Sequence, residues 1–186
     1  MKLCYVLILL CPLLASLTGL AAELSGSHGV WLSNAEGERQ RIGTVLFTPA
    51  GGGRTRFQLT IDESLKEYFL AMRPFRCLTG PRQRLCHFPV AREAPLISAG
   101  DLVPLEYALM FIRTAPKSLH IDAFNGIYYR MRWTGQGVVG QVHDVAMDPF
   151  IAPDSVPVER RQRPIGATDL TPGDPRSHWL PILTIE

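Results

Sequence analysis

The stretch Arg56-Phe57-Gln58-Leu59-Thr60-Ile61 alternates without a break: Phe57, Leu59 and Ile61 take one side, Arg56, Gln58 and Thr60 the other. Successive side chains of an extended chain point to opposite faces, so this run predicts a strand with one face in the core and one in water. The same period returns at 126–145, where Ile127, Tyr129, Met131 and Trp133 share a face. Thr134-Gly135-Gln136-Gly137 then reads as a turn, and Val138, Val139, Val142 and Val145 mark the returning strand of a hairpin. Upstream, 28–33 and 41–48 read as strands joined by the turn Asn34-Ala35-Glu36-Gly37. Pro49-Ala50-Gly51-Gly52-Gly53 is expected to stop the second of them, because Pro lacks a ladder donor and Gly weakens a strand.

Farther along, 63–73 fits a helical stripe or a strand, and its aromatic residues and the following Pro74 favour a strand from about Lys66. Ser98-Ala99-Gly100-Asp101 resembles a capped helical turn. Leu105, Tyr107, Leu109 and Phe111 alternate with Glu106, Ala108, Met110 and Ile112, which predicts a strand over 105–113. Residues 149–167, rich in Pro and charge, read as a long wrapping loop, 168–172 as a helical turn, and 179–185 as a last strand. Pro181 points to an edge position or a bulge there. The sum is a mainly β domain: an antiparallel meander of about eight strands with one or two short helical turns. It forms a lipocalin-like barrel or a two-sheet sandwich, and the pattern does not separate them. Gly29-Val30-Trp31 looks like the Gly-x-Trp that opens many lipocalin-type barrels.

The N-terminus speaks for export. Lys2 precedes an apolar run from Cys4 to Leu17, broken only by Pro12 and Ser16, and small residues follow at 18–22. This is the layout of a signal peptide over 1–22, cleaved after Ala21 or Ala22. The run falls short of the roughly 20 apolar residues of a membrane span. Residues 23–186 are therefore expected to form one exported domain, periplasmic or secreted, with no span left after cleavage. The net charge of the whole chain is +2, and Lys2 leaves with the leader. So balanced a domain gives no support for nucleic-acid binding. Cys4 and Cys11 leave too, and the remaining pair, Cys77 and Cys86, reads as a disulfide in an oxidising compartment. A redox-active or metal-binding pair is the alternative, and the C-x8-C spacing speaks against it.

The motifs Ser64-Leu65-Lys66-Glu67-Tyr68-Phe69-Leu70-Ala71-Met72-Arg73-Pro74-Phe75-Arg76-Cys77, Asn125-Gly126-Ile127-Tyr128-Tyr129-Arg130 and Asp174-Pro175-Arg176-Ser177-His178-Trp179-Leu180-Pro181 resemble those of a group of uncharacterised exported bacterial proteins. The resemblance covers most of the exported part. It implies an envelope location and brings no catalytic residues with it.

Stock catalytic signatures are absent: there is no Gly-x-Ser-x-Gly, P-loop, Gly-x-Gly-x-x-Gly or His-Glu-x-x-His. Gly51-Gly52-Gly53 lacks the Lys-Ser/Thr and helix of a phosphate cradle and reads as a hairpin turn. His120 and Asp122 would share a face on a strand, and His143 and Asp144 lie on the return arm of the 126–145 hairpin. Together His120, Asp122 and His143 would suit Zn2+ or a base oriented by an acid; ordinary polar surface is the plainer reading. Arg82 and Arg84 flank the proposed disulfide and suit an anion or an acidic partner surface, where a solvated basic loop is the plainer reading. Tyr129 and Trp133 would line a ligand cavity in an open barrel, or simply fill the core. No cofactor is implied. The leading expectation is a non-enzymatic exported domain that binds a small apolar ligand or an envelope protein; the alternative is a metal-dependent or acid-base hydrolase at His120, Asp122 and His143.

Overall fold

The computed structural model describes residues 24–70, 73–90, 94–122, 124–147 and 164–186. The signal peptide expected at 1–22 and most of the Pro-rich stretch at 149–167 lie outside the described residues. Twelve strands form one antiparallel sheet: β1 Gly26–Ser33, β2 Arg39–Gly51, β3 Arg54–Ile61, β4 Lys66–Leu70, β5 Arg73–Thr79, β6 Arg84–His87, β7 Leu96–Ser98, β8 Phe111–Thr114, β9 Gly126–Trp133, β10 Val138–Val145, β11 Leu170–Pro172 and β12 Ile182–Ile185. Among the described residues one helix, α1, spans Val103–Ala108, and a 3-10 turn at Ala167–Asp169 precedes β11. The domain is thus mainly β, as the alternation requires, with more strands than the eight read from the pattern. The additional ones are the seven-residue β5 and the strands β6, β7 and β11, which are three or four residues long. Pairing rather than periodicity defines strands so short.

Sheet order is β4-β5-β6-β8-β9-β10-β12-β1-β2-β3-β7, with β11 added on β10. The path is open, so the closed barrel is not formed. The rest of the expectation holds broadly: the strands form one continuous antiparallel sheet of the mainly-β sandwich or meander kind. Helix α1 packs on both β7 and β9, so the strands from β9 round to β7 curl until their two ends meet the same helix. The remaining strands β8, β6, β5 and β4 continue from β9 as a wing.

The concave face holds the main core, where Val30, Leu32, Ile42, Val45, Phe47 and Leu183 meet Leu105 and Leu109 of α1. Each such side chain contributes roughly 1.5–3 kcal/mol by leaving water. A second cluster of Tyr107, Met110, Ile112, Tyr128, Val145 and Met147 lies apart from it. For that reason β9 begins with four consecutive buried residues before alternation sets in. Outward-facing Trp31 is half-buried and carries the Arg39 guanidinium 4.6 Å above its ring, so it belongs to the surface side of β1.

Four local expectations change. The run over 105–113 is not one strand: its first part is α1, entered through Pro104, and only Phe111–Thr114 is extended. Pro in the first helical turn gives up an N–H that has no intrahelical partner anyway. Ser98 and Asp101 close a tight turn instead of opening a helix, with Asp101 N–H donating to Ser98 O at 3.1 Å. Strand β2 continues through Pro49 to Gly51, because its β1 neighbour ends its pairing at Phe47 and no partner there needs the missing N–H. Finally, β12 is an interior strand between β10 and β1. Pro181 just precedes it and accepts the Val142 N–H at 3.0 Å, a role that uses its carbonyl alone.

Cys77 and Cys86 face each other across the β5–β6 hairpin with their sulfurs 2.11 Å apart. Two further contacts dock the tip of this hairpin on the C-terminal segment. The Gln83 amide donates to Ser177 O at 2.6 Å and accepts the Trp179 N–H at 2.9 Å, as a strand backbone would. The Trp179 ring lies so close to Gly80 that a Cβ there would sit 2.4 Å from it. Replacing both cysteines by alanine is expected to cost about 2 to 3 kcal/mol, the chain entropy of a loop of about ten residues. Urea unfolding checks the cost, and a non-reduced mass two hydrogens below the reduced one checks the bond.

Candidate functional site

A cleft of ligand size lies on the described surface, and α1 forms its wall. Its volume is about 470 Å³, and Val103, Pro104, Tyr107 and Ala108 of the helix face Phe57 of β3 across it. Pro89, Val90, Pro95 and Pro164 add to the apolar lining, and among the described residues Asp101 contributes the one charge. Local chemistry explains how the helix comes to stand there. Asp101, one residue before the N-cap, accepts the Val103 N–H at 3.1 Å. Leu105 and Leu109, four apart, bury into the main core, and Tyr107 turns to the second cluster.

Glu106 locks the helix to the sheet. Strand β8 pairs with β9 only at Gly126 and Ile127, so the edge of β9 beyond them has no strand neighbour. Glu106 takes that place: Oε1 accepts the Met131 N–H at 2.5 Å, and Oε2 accepts the Tyr128 hydroxyl. Burial pushes the Glu106 carboxyl above its ordinary value; these two donors and nearby Arg130 pull back against it, and the Asp101 charge adds to the push. Burial, reinforced by the Glu106 bond, also raises the Tyr128 phenol. At the other end of α1, His87 meets Ala108 O at 2.8 Å through Nε2, and burial lowers its pKa.

No known protein family, no curated protein and no solved structure matches this chain. The site therefore rests on its own geometry.

The structure disperses the residues singled out by sequence. His120 and Asp122 lie in the loop after β8 and share no strand. His120 is exposed, with its N–H on Ser118 Oγ at 3.1 Å, and Asp122 caps a turn by accepting the Phe124 N–H at 2.9 Å. His143 stands on β10 with Nδ1 against Gln141 O at 3.1 Å. Among the described residues no group of three His, Cys, Asp or Glu could hold a metal. The imidazole that does meet a carboxylate is His178, buried, with Nε2 3.1 Å from Asp144 Oδ1 and Nδ1 2.9 Å from Asp174 O. Both nitrogens are engaged inside the protein, and the knot ties β10 to the turn before β12.

Arg82 remains exposed at the hairpin tip, whereas Arg84 is not a solvated binding residue at all. Its guanidinium is buried, donates to Pro116 O, to Ser118 O at 3.1 Å and to Thr79 Oγ1 at 3.2 Å, and stacks 4.0 Å over the Tyr68 ring. Tyr129 is fully buried, its hydroxyl donating to Leu180 O at 2.7 Å, and Trp133 packs on the same core. Neither lines the cleft. No window of sequence shows the cleft, because its described walls come from five separate segments and the residues of α1 also alternate as a strand does. Pro104 was the one local signal that could have placed it.

Proposed function

We propose that this is an exported, non-enzymatic binding domain whose α1 cleft takes a small apolar or amphipathic molecule. The observation that carries the reading is the cleft: about 470 Å³ of space with aliphatic, proline and aromatic walls and, among the described residues, a single charged group. That volume falls within the ~300–1,000 Å³ of small-molecule sites, which combine apolar walls with few polar groups. Its helical wall is held by a buried carboxylate at a strand edge, so the space is built rather than left between loose loops. Export to a periplasmic or extracellular compartment agrees with the Cys77 and Cys86 bond, since disulfides persist where the environment is oxidising. No helix among the described residues is long and apolar enough to cross a membrane. A hydrolase at His120, Asp122 and His143 gains nothing from the geometry, because those side chains form no common site.

N-phenyl-1-naphthylamine, neutral at pH 7 and fluorescent in apolar surroundings, tests the reading. Saturable binding of one probe per chain is expected. Val103→Trp, at an exposed position of the rim, should weaken it about tenfold without lowering the melting temperature, by occupying the space. Unsaturable binding, or binding indifferent to Val103→Trp, would overturn the proposal.

A further inference from the structure

We infer that the outer face of the β9–β10 hairpin carries a second site, built by Arg130 and Arg132 to hold a phosphate group. It is independent of the α1 cleft and does not need that cleft to bind anything. Strand alternation puts both arginines on the exposed side of β9, where residues i and i+2 lie about 7 Å apart. Register then sets their neighbours on β10: Val139 is opposite Arg132, Gln141 is opposite Arg130, and His143 follows two residues on. With Met131 these residues line a small cleft of about 170 Å³. That is below the roughly 300 Å³ at which sites for whole small molecules begin, so it suits a head group.

Other arginines of the sheet have acidic partners. Arg39 is 2.8 Å from Glu186, Arg41 2.9 Å from Asp62 and Arg113 3.4 Å from Asp144. Among the described residues no carboxylate stands at such a distance from Arg130 or Arg132. Glu106 feels the charge of Arg130, yet its two oxygens are taken by the Met131 N–H and the Tyr128 hydroxyl. Each guanidinium brings five N–H donors in a planar fork, and two forks match the several oxygens and double charge of a phosphate. Gln141 adds an amide. His143 gives its Nδ1–H to Gln141 O at 3.1 Å, which keeps Nε2 for a protonated phosphate oxygen. Both arginines are exposed, so the group is reached from solvent. A soluble phosphate ester and a lipid head group share this chemistry.

Isothermal titration at low ionic strength with inorganic phosphate and with acetate tests the site, and sedimentation with phosphatidylcholine vesicles, with and without phosphatidic acid, tests the source. Phosphate is expected to saturate one site per chain and to bind about tenfold tighter than acetate, which carries a single charge. Arg130→Gln combined with Arg132→Gln should weaken phosphate about tenfold. Arg54→Gln combined with Arg56→Gln removes the same charge from the exposed side of β3 and should leave binding unchanged. Because Arg130 also acts on Glu106, Arg132→Gln alone guards against a folding defect: it should weaken phosphate severalfold at an unchanged melting temperature. Vesicle capture that needs phosphatidic acid and is lost in the Arg130, Arg132 variant supports the site and makes a lipid head group the source. Phosphate binding without capture supports it with a soluble ester. No binding in either arm, acetate binding as tight as phosphate, binding that survives the loss of Arg130 and Arg132, or an equal loss in the Arg54, Arg56 variant overturns it and leaves the α1 cleft untouched.

Discussion

Glu106→Ala is expected to lower stability by roughly 3 kcal/mol, a fall of about 9 °C in melting temperature for a domain of this size. The substitution strips the acceptor from two buried donors, the Met131 N–H and the Tyr128 hydroxyl, at the one edge of β9 where no strand can replace it. Glu106→Gln keeps the shape and one acceptor oxygen, so about half of the loss should return. Its second use is to expose the ionisation of the native side chain. A carboxyl raised in the folded state contributes stability that is fully present below its unfolded value of 4.5 and is lost as pH rises through the folded one. The wild type should therefore lose stability relative to Glu106→Gln on going from pH 4 upward, and the deficit of the variant should shrink. His87, lowered by burial, acts in the opposite sense, losing its contribution as pH falls through its folded value. It is common to both proteins, so the difference between them isolates Glu106. Thermal melts of the pair at pH 4, 5.5 and 7 provide the check, and a constant or widening deficit would refute the role given to this carboxylate.

What sequence can show of this fold follows from the reach of each signal. Phe57, Leu59 and Ile61 alternate within one segment, and the turn at 134–137 lies between the two runs it joins, so β3 and the β9–β10 hairpin were legible residue by residue. Cys77 and Cys86 were legible because the other two cysteines, Cys4 and Cys11, lie in the apolar N-terminal run, which leaves one pair in the rest of the chain. The run from Leu105 carried two periods at once, since Leu105 and Leu109 satisfy a helical spacing as well as an alternating one. The choice falls to helix through Glu106, whose partners on β9 are more than twenty residues away. No local pattern encodes that need. The position of β12 between β10 and β1, and the cleft walled by four prolines from four segments, are likewise products of chain return rather than of any window of sequence.

Arg84 and Arg82 are two residues apart and look alike in the sequence, yet their substitutions should separate sharply. Arg84→Ala removes a planar fork that holds the carbonyls of Pro116 and Ser118 and the Thr79 hydroxyl, together with its stacking on Tyr68. Buried acceptors left without donors and a lost cation contact bring the expected cost to about 3 kcal/mol. Arg84→Lys keeps the charge and the stem but replaces a rigid five-donor fork by a point charge, so it should recover less than half. Arg82→Ala, at an exposed tip, should stay within about 0.5 kcal/mol. The clamp also predicts a local effect. The loop after β8 is pinned through Pro116 and Ser118, which bracket the exposed Lys117. Tryptic cleavage at Lys117 under native conditions should accelerate about tenfold in Arg84→Ala and remain unchanged in Arg82→Ala, because releasing the loop lowers the free energy of its local opening. Urea midpoints and the rate of cleavage at Lys117 measure the two effects separately. Equal behaviour of the two alanine variants would return Arg84 to the surface and dissolve the distinction, for a residue that binds outward has no reason to hold a loop inward.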